Sequence, residues 1–247
     1  MKSATLITGC GQGIGHACLK ELLTKSWNDF SVGVTRSPNP AIQELVEHNP
    51  DKSSISYLDV TDYSSTSRFF CQLDDDILIN RAFLNAGIRS RHTFDSTTPE
   101  IYMEVLDVNC LSVIQWAKQL IKRADRLAHP LNILVVTSIV GPRGFADLSP
   151  YATSKGALEG FVRSLAVEYA QKNVQINAIA PGFVASSYAT AFKVNKPELY
   201  EWTLRQTPMG RWGSCEEVAK VSSFLLSPDN TYMTGAVIPC DGGWMSK

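Results

Sequence analysis

The sequence predicts an α/β protein: one doubly wound domain with a parallel seven-stranded sheet and helices on both faces. Short apolar, β-branched runs alternate with longer stretches of helical periodicity along all 247 residues. A glycine-rich segment lies directly between the first run and the first helical stretch. No linker, repeat or low-complexity block divides the chain, so residues 1–247 are expected to form a single domain.

Seven apolar runs are predicted to be the strands. Because these runs are continuous rather than alternating, the strands are expected to be buried on both faces, as in a parallel sheet. Right-handed crossovers through the intervening helices then make the sheet doubly wound. The predicted strands are residues 5–8, 31–34, 55–58, 82–84, 132–137, 174–179 and 236–239.

Three stretches carry apolar residues at intervals of three and four, which is typical of helices that pack on one face. They are residues 14–27, 101–127 and 157–169. Residues 183–212 are too many for an ordinary connection, and we expect them to form a lid over a substrate. The lid and the loop at residues 141–148 supply the pocket candidates Phe145, Leu148, Tyr188 and Phe192.

Composition excludes several classes of protein. Hydrophobic residues at 44% and charged residues at 19% exclude a disordered, collagen-like or coiled-coil chain. A net charge of −1 argues against a nucleic-acid or membrane-surface partner, and no run approaches the roughly 20 apolar residues of a membrane span. The N-terminus enters a strand pattern without a signal-peptide pattern.

The six cysteines are scattered, without a Cys-x-x-Cys pair or a histidine at metal-ligand spacing. This pattern predicts no zinc site, no redox pair and no other metal. Free thiols suit a reducing compartment, so a cytoplasmic protein is expected.

The glycine-rich segment runs from Thr8 to Gly15 as Thr-Gly-Cys-Gly-Gln-Gly-Ile-Gly. Gly9 would permit a tight turn, Gly13 would let the backbone approach a pyrophosphate, and Gly15 would let the helix pack closely on the strand. The helix N-terminus, with Gln12 and Ile14, would present N–H groups to the anion. No Gly-Lys-Ser/Thr follows, which excludes a P-loop nucleotidase. The segment predicts dinucleotide binding, with an ordinary glycine-rich turn as the alternative.

The end of the second strand bears on the choice of dinucleotide. An acidic residue there would bind the ribose 2′-hydroxyl of NAD, but this chain has Thr35 followed by Arg36. A guanidinium matches a 2′-phosphate in charge and geometry, so NADP(H) is preferred. NAD(H) stays open, as does a solvated role for this arginine.

Tyr151 and Lys155 are the candidate reacting groups. Their i, i+4 spacing puts the phenol and the ammonium on one helical face, where the cation would favour the phenolate and lower the tyrosine pKa. Ser138 follows a strong strand, and ligands of open α/β sheets bind at that edge. Tyr-x-x-x-Lys alone is common by chance, but its combination with a strand-end serine and a dinucleotide turn is not.

These motifs resemble the short-chain dehydrogenase/reductase family, nearly from end to end. The resemblance rests on the turn from Thr8 to Gly15 and on Ser138, Tyr151 and Lys155. It further includes Asp59-Val60 after the third strand, Asn85-Ala86-Gly87 after the fourth, Asn109 in the long helix, Pro181-Gly182, Val184 and Ser186 after the sixth, and the C-terminal segment. It implies a Rossmann-type fold. The residues expected at the cofactor are Gly9, Gln12, Gly13, Ile14, Gly15, Thr35, Arg36, Asp59, Val60, Asn85, Ala86, Gly87, Tyr151, Lys155, Pro181, Gly182, Val184 and Ser186.

By this resemblance, Tyr151 is the general acid or base, Ser138 orients the carbonyl, Lys155 lowers the tyrosine pKa and binds the nicotinamide ribose, and Asn109 holds a water in the proton relay. The chain departs from the family pattern at Leu84, which replaces an asparagine, and at Gln12, where NADP-preferring members often have a basic residue. The departure at Leu84 leaves the expected chemistry in place, and the departure at Gln12 weakens the argument for NADP(H) over NAD(H).

The expected function is the NADP(H)-dependent interconversion of a ketone and a secondary alcohol. Within the family, Pro208-Met209-Gly210-Arg211 and the C-terminal segment most resemble 3-oxoacyl-[acyl-carrier-protein] reductases, which implies a carrier-protein- or CoA-linked substrate. The alternatives are a sugar, polyol or secondary-metabolite substrate, and a non-catalytic dinucleotide sensor. The resemblance also implies a homotetramer or homodimer.

Overall fold

A parallel seven-stranded sheet lies at the centre of the molecule, which confirms the predicted fold class. The computed structural model describes residues 1–186 and 189–247. The strands are β1 (Lys2–Thr8), β2 (Phe30–Thr35), β3 (Ser53–Tyr57), β4 (Ile77–Leu84), β5 (Leu131–Val136), β6 (Val174–Pro181), β7 (Val184–Ala185), β8 (Gly213–Ser214) and β9 (Val237–Cys240). Seven of them pair in the order β3-β2-β1-β4-β5-β6-β9, and β7 pairs with β8. The strand order reverses between β1 and β4, where an open sheet of this kind has its binding crevice.

Helices cover both faces of the sheet because successive strand residues point to opposite sides. Leu6 of β1 joins one apolar cluster with Trp116 and Leu158, whereas Ile7 joins another with Leu19 and Val218. The helices are α1 (Gly13–Leu22), α2 (Pro40–Glu47), α3 (Tyr63–Gln72), α4 (Pro99–Leu106), α5 (Ser112–Arg126), α6 (Ser149–Tyr169), α7 (Ser187–Asn195), α8 (Pro197–Gln206) and α9 (Cys215–Leu226).

The expected helix at residues 14–27 is wrong in its second half, because α1 ends at Leu22. The hydroxyl of Thr24 donates a hydrogen bond of 2.7 Å to the carbonyl of Glu21, which satisfies one carbonyl at the helix end. Trp27 still packs on the same apolar cluster as α1, from the loop that follows. The apolar spacing of the sequence therefore continues to Trp27, whereas the helix itself ends at Leu22.

The expected single helix at residues 101–127 is also wrong. A π-helical turn at Asp107–Leu111 separates α4 from α5. The hydroxyl of Tyr63 donates a hydrogen bond to Asp107 Oδ1, and that of Ser112 donates one of 2.7 Å to the Val108 carbonyl. These polar contacts stabilise a wider turn that apolar spacing does not encode, and such turns are frequent at functional sites.

The helix predicted at residues 157–169 begins earlier, at Ser149, with Pro150 in its first turn. Proline suits that position because the N–H it lacks would have no partner within the helix. The whole Tyr-x-x-x-Lys segment is therefore helical.

The predicted lid at residues 183–212 contains α7 and α8 rather than an irregular loop. Its aromatic side chains pack against Trp212, whose ring centroid lies 5.3 Å from that of Phe183 and 5.1 Å from that of Tyr200. The indole N–H of Trp212 donates a hydrogen bond of 2.7 Å to Thr203 Oγ1. These contacts lie within the segment. Its rings also pack on Trp244, at centroid distances of 5.1 Å from Phe183 and 5.6 Å from Trp202, which joins the segment to the body of the domain.

No helix within residues 1–186 and 189–247 is long and apolar enough to cross a membrane. The same residues contain no cluster of three or more His, Cys, Asp or Glu side chains that could hold a metal. All six cysteines are free thiols.

Candidate active site and cofactor cleft

A cleft of about 720 Å³ lies at the carboxyl ends of the central strands. Its size is typical of small-molecule and cofactor sites. The predicted site residues that line it are Gly9, Gln12, Gly13, Ile14, Thr35, Arg36, Asp59, Val60, Asn85, Ala86, Gly87, Ser138, Tyr151, Lys155, Pro181, Gly182, Val184 and Ser186. Gly15 and Asn109 lie behind its wall, where they contact lining residues.

The glycine turn between β1 and α1 forms one end of the cleft. Gly9 and Gly13 have φ values of +68° and +61°, a region that favours glycine. A Cβ on Gly9 would lie 2.8 Å from the Cα of Ala86, and one on Gly15 would lie 2.3 Å from the Gly9 carbonyl oxygen. Helix α1 begins at Gly13, and the described N-cap residue Gln12 makes no side-chain cap. Its first N–H groups therefore suit an anion such as a pyrophosphate.

Asn85 ties the end of β4 to this turn. Its Nδ2 donates a hydrogen bond of 3.0 Å to the Gly9 carbonyl, and its backbone N–H donates one of 3.1 Å to Thr8 Oγ1. The two strand ends at the point where strand order reverses are thus held together. The departure at Leu84 does not affect this link, because Leu84 is a buried core residue.

The ends of β2 and β3 form a further part of the cleft. Arg36 is exposed at the rim of the cleft, next to Thr35. Asn39 also lines this end; its Nδ2 donates a hydrogen bond of 2.6 Å to the Gly11 carbonyl, and its Oδ1 accepts one from the Ile42 N–H that caps α2. Sequence reasoning missed Asn39, although Asn-Pro before an apolar run is a helix-start signal.

Asp59 lines the cleft after β3, beside Val60. Its Oδ1 accepts hydrogen bonds from the backbone N–H and the hydroxyl of Thr61, at 3.0 and 2.7 Å. These bonds fix the carboxylate orientation while its second oxygen can accept from an adenine amino group.

Asn109 is fully buried in the π turn. Its Oδ1 accepts a hydrogen bond of 2.7 Å from the Ile88 N–H, and its Nδ2 donates to the Ile88 carbonyl at 2.9 Å. The same Nδ2 lies 3.1 Å from Ser154 Oγ, which donates in turn to the Tyr151 carbonyl. Asn109 therefore joins the loop after β4 to helix α6, which carries the candidate reacting groups.

Lys155 is also buried, and its Nζ donates a hydrogen bond of 2.8 Å to the Val136 carbonyl. The Nζ lies 5.7 Å from the centroid of the Tyr151 ring. Burial lowers the pKa of Lys155 to about 8, because removal from water disfavours the ammonium. This lysine therefore changes charge close to neutral pH.

Tyr151 lies between Ser138 and Arg89 at the cleft. Burial raises the pKa of its phenol, and two opposing influences lower it: the positive charge of Arg89 and a hydrogen bond with Ser138. The sequence predicted that Lys155 would lower this pKa to a useful range; in the structure Arg89 is the cation that acts on the phenol, and desolvation outweighs it. A phenol that stays protonated suits a proton donor.

Arg89 is the main lining residue that sequence reasoning missed. It follows Gly87 by two positions, and its guanidinium carbon lies 5.8 Å from the centroid of the Tyr151 ring. A charged residue just past the carboxyl end of a central strand was the available signal, since ligands of open α/β sheets bind there.

The segment after β6 closes the other side of the cleft. The Gly182 N–H donates to the Cys240 carbonyl at 3.1 Å, and a Cβ on Gly182 would lie 2.8 Å from the Asp241 Cα. Val184 pairs with Gly213, and Ser186 faces the glycine turn, 3.9 Å from where a Cβ on Gly13 would lie. This segment and the glycine turn thus form opposite walls.

The predicted pocket residues lie mostly behind this wall. Phe145 packs on Phe183 and Trp244, with ring centroids 6.1 and 5.8 Å apart, and Leu148 is fully buried in the same cluster. Phe192 packs on the Trp212 ring. Phe183 itself lines the cleft. Tyr188 lies outside the described residues.

Known proteins resemble this chain over nearly its whole length. A family model described as enoyl-(acyl carrier protein) reductase matches residues 9–245. The 3-oxoacyl-[acyl-carrier-protein] reductase FabG of Pseudomonas aeruginosa is 31% identical over 244 residues, which cover 96% of this chain and 95% of the relative. The 2-dehydro-3-deoxy-D-gluconate 5-dehydrogenase of Bacillus subtilis is 29% identical over 246 residues, covering 98% and 94%.

A solved structure of ElxO with NADP bound superposes with a TM-score of 0.89 at 26% identity and covers both chains completely, at 100% each. Sequence, fold and site geometry agree in their assignment. The chain belongs to the short-chain dehydrogenase/reductase family of oxidoreductases.

Proposed function

We propose that this protein reduces a ketone to a secondary alcohol, or catalyses the reverse reaction, with NADP(H) as its preferred cofactor and NAD(H) as a weaker one. The observation that carries this proposal is the position of Tyr151, Ser138 and Lys155 along one cleft whose far end is the uncapped N-terminus of α1. The non-catalytic sensor lacks support, since each of the three side chains needed for proton transfer is present.

The cleft residues fit a nicotinamide dinucleotide. Gly9, Gly13 and the first turn of α1 would hold the pyrophosphate, Asp59 and Val60 the adenine, and Thr35 and Arg36 the 2′-phosphate. Asn85, Ala86, Gly87, Lys155 and the segment Pro181–Ser186 would hold the nicotinamide ribose and ring. When bound, the cofactor supplies or accepts the hydride.

In the reduction, Tyr151 donates its phenolic proton to the carbonyl oxygen, and Ser138 donates a hydrogen bond that orients the same oxygen. Arg89 supplies positive charge beside the phenol that stabilises the phenolate as it forms, and Lys155 supplies the proton that is returned to Tyr151. Asn109 keeps Ile88 and Ser154 in place and holds the water that returns a proton towards Lys155. Gln12, Ile14, Val184 and Ser186 shape the cleft, and Gly15 allows α1 to approach β1.

Two substrate classes have support. The similarity to FabG supports a 3-oxoacyl thioester, whose acyl chain would pack against the aromatic rings of Phe183 and Trp244. The similarity to the Bacillus subtilis dehydrogenase supports a sugar acid, whose negative charge suits the cation Arg89 that lines the cleft. NADPH oxidation measured with acyl thioesters, sugar acids and neutral ketones separates the classes, and turnover of none of them would overturn the proposed function.

We propose the cytoplasm as the compartment and the substrate and further copies of the chain as the partners, in a homotetramer or homodimer. Exposed apolar side chains support self-association: Val167 on α6 and Phe224 on α9 are 87% and 51% exposed, and Tyr232 is 99% exposed. Apolar area of this kind is a frequent feature of subunit interfaces.

The cofactor preference can be tested at Arg36. Arg36→Ala is expected to weaken NADPH binding about tenfold and to leave NADH binding within about twofold, because a guanidinium recognises the additional phosphate by a charge-assisted hydrogen bond. Fluorescence titration with each cofactor measures both dissociation constants. Arg68→Ala, which removes the same charge from an exposed position on α3, is the control and should change neither constant. Equal losses for NADPH and NADH in Arg36→Ala would contradict the assignment.

The pKa of Lys155 predicts a pH dependence. Lys155 is charged below a pH of about 8 and neutral above it, so the proton that it returns to Tyr151 is present at lower pH and is lost as the pH rises through that value. We expect kcat/KM for reduction to be constant at neutral pH and to fall roughly tenfold per pH unit above this pKa. Initial rates across the range measure this limb. Lys155→Met should have a low kcat/KM at every pH and should not show the fall above a pH of about 8. If the variant shows the same fall, the titrating group is not Lys155.

A further inference from the structure

Arg89 places a second cation at the reacting end of the cleft. It lines the cleft together with Ser138 and Tyr151, and its guanidinium carbon lies 5.8 Å from the centroid of the tyrosine ring. The ammonium of Lys155 is hydrogen-bonded to the Val136 carbonyl. The two cations thus hold different positions around the same phenol.

The backbone that carries Arg89 is held at both ends. On one side, Asn109 binds both the N–H and the carbonyl of Ile88. On the other side, the His92 N–H donates to the Asp147 carbonyl at 3.0 Å, and Arg91 Nη1 lies 3.3 Å from the Ala146 carbonyl and 3.5 Å from Asp147 Oδ2. Because this backbone is already fixed, Arg89 loses little conformational entropy when it binds an anion, and the binding free energy is more favourable.

The surroundings of Arg89 strengthen its attraction for an anion. Ile139, Val140 and Phe183 line the same cleft with apolar surface. A charge-assisted pair between a guanidinium and a carboxylate is stronger in such a cleft than in bulk water, and the planar guanidinium fits both carboxylate oxygens.

We propose that Arg89 binds a carboxylate of the substrate close to the carbon that reacts, so that the substrate is an oxo acid, with the hydroxy acid as product. This inference rests on the proposed function and chooses between its two substrate classes, since an acyl thioester has no negative charge beside its ketone. In the reduction, hydride from NADPH forms the new C–H bond and the carbonyl oxygen takes the proton of Tyr151. The carboxylate is unchanged.

The test compares acids with their methyl esters, which are matched in shape but lack the charge. Acetoacetate, 4-oxopentanoate and 5-oxo-gluconate, each with its ester, are reduced with NADPH at pH 7, where the raised phenol pKa keeps Tyr151 protonated with or without Arg89. The wild-type protein should prefer at least one acid over its ester. Arg89→Gln removes a cation beside the phenol and should slow both substrates, but it should lower kcat/KM for that acid about 10- to 100-fold more than for its ester, while Arg89→Lys restores part of the preference.

Arg68→Gln is the control, because it removes the same charge from an exposed position on α3 and should keep the preference for the acid. Calorimetric binding of succinate to the NADPH complex gives a readout without turnover, and Arg89→Gln should abolish this binding. Equal losses for acid and ester, or a wild-type preference for esters or acyl thioesters, would overturn the inference. Failure of the proposed function looks different: no acid, ester or thioester would be reduced, whatever the succinate titration shows.

Discussion

Tyr151→Phe is expected to lower kcat for ketone reduction about 10³-fold while the Kd for NADPH changes less than about twofold. The substitution removes one oxygen and keeps the ring that packs between Lys155 and Arg89, so the cleft retains its shape. The chemical step loses its proton donor, and no other hydroxyl replaces it because Ser138 has a far higher pKa than a phenol. NADPH absorbance measures turnover and fluorescence titration measures binding.

Tyr57→Phe serves as the control for this variant. Tyr57 lies at the end of β3 and is 45% exposed, so the loss of its hydroxyl should affect neither turnover nor binding. A Tyr151→Phe protein with activity within tenfold of the wild type would assign the proton to another donor. Loss of both turnover and NADPH binding would instead indicate a structural role for the hydroxyl.

Gly15→Ala is expected to abolish tight NADPH binding, with a Kd raised more than about 100-fold, and to lower the free energy of unfolding by about 2 kcal/mol. A Cβ at this position would lie 2.3 Å from the Gly9 carbonyl oxygen and 2.6 Å from Asn85 Nδ2. Helix α1 would have to move away from β1, which displaces the N–H groups that face the pyrophosphate. Urea unfolding and fluorescence titration measure the two effects.

The matched control is Gly144→Ala in the loop before α6. A Cβ at Gly144 would have no atom within 4 Å, so both stability and NADPH affinity should stay close to wild type. Wild-type NADPH affinity in Gly15→Ala would show that the close approach of α1 and β1 is not needed for binding. A stability loss without an affinity loss would separate packing from recognition at this turn.

Short sequence patterns predicted the strands, because the burial of a strand depends on the apolar residues within that short run. Each of the seven predicted strands is a short run that contains apolar residues, and the structure places every one of them in the sheet, although β3 and β6 also contain polar residues. The helix ends were harder, because a single polar contact decides them: the Thr24 hydroxyl ends α1 although apolar residues continue to Trp27. The interruption of the long helix depends on Tyr63, a residue more than forty positions away from Asp107 in sequence.

The same contrast holds at the site. The glycine turn and the Tyr-x-x-x-Lys segment could be found because each lies within one stretch of chain with a characteristic spacing. Arg89 could not be found in that way, because its importance comes from its distance to a side chain on another element, Tyr151 of α6. Predicting the sign of the tyrosine pKa shift likewise needs the burial of the phenol, and spacing along a helix does not specify burial.

The π turn has a consequence for insertions and deletions. Each residue of an α-helix advances side chains by about 100° around the axis, and a π turn absorbs one additional residue without breaking the helix. Removal of a single residue between positions 107 and 111 would therefore restore a regular helix while the flanking residues Val105 and Trp116, both buried, keep facing the core. The cost of such a deletion falls instead on Asn109, which the turn holds between Ile88 and Ser154. Chain length in this segment is thus set by the position of one polar side chain and not by the packing of the helix.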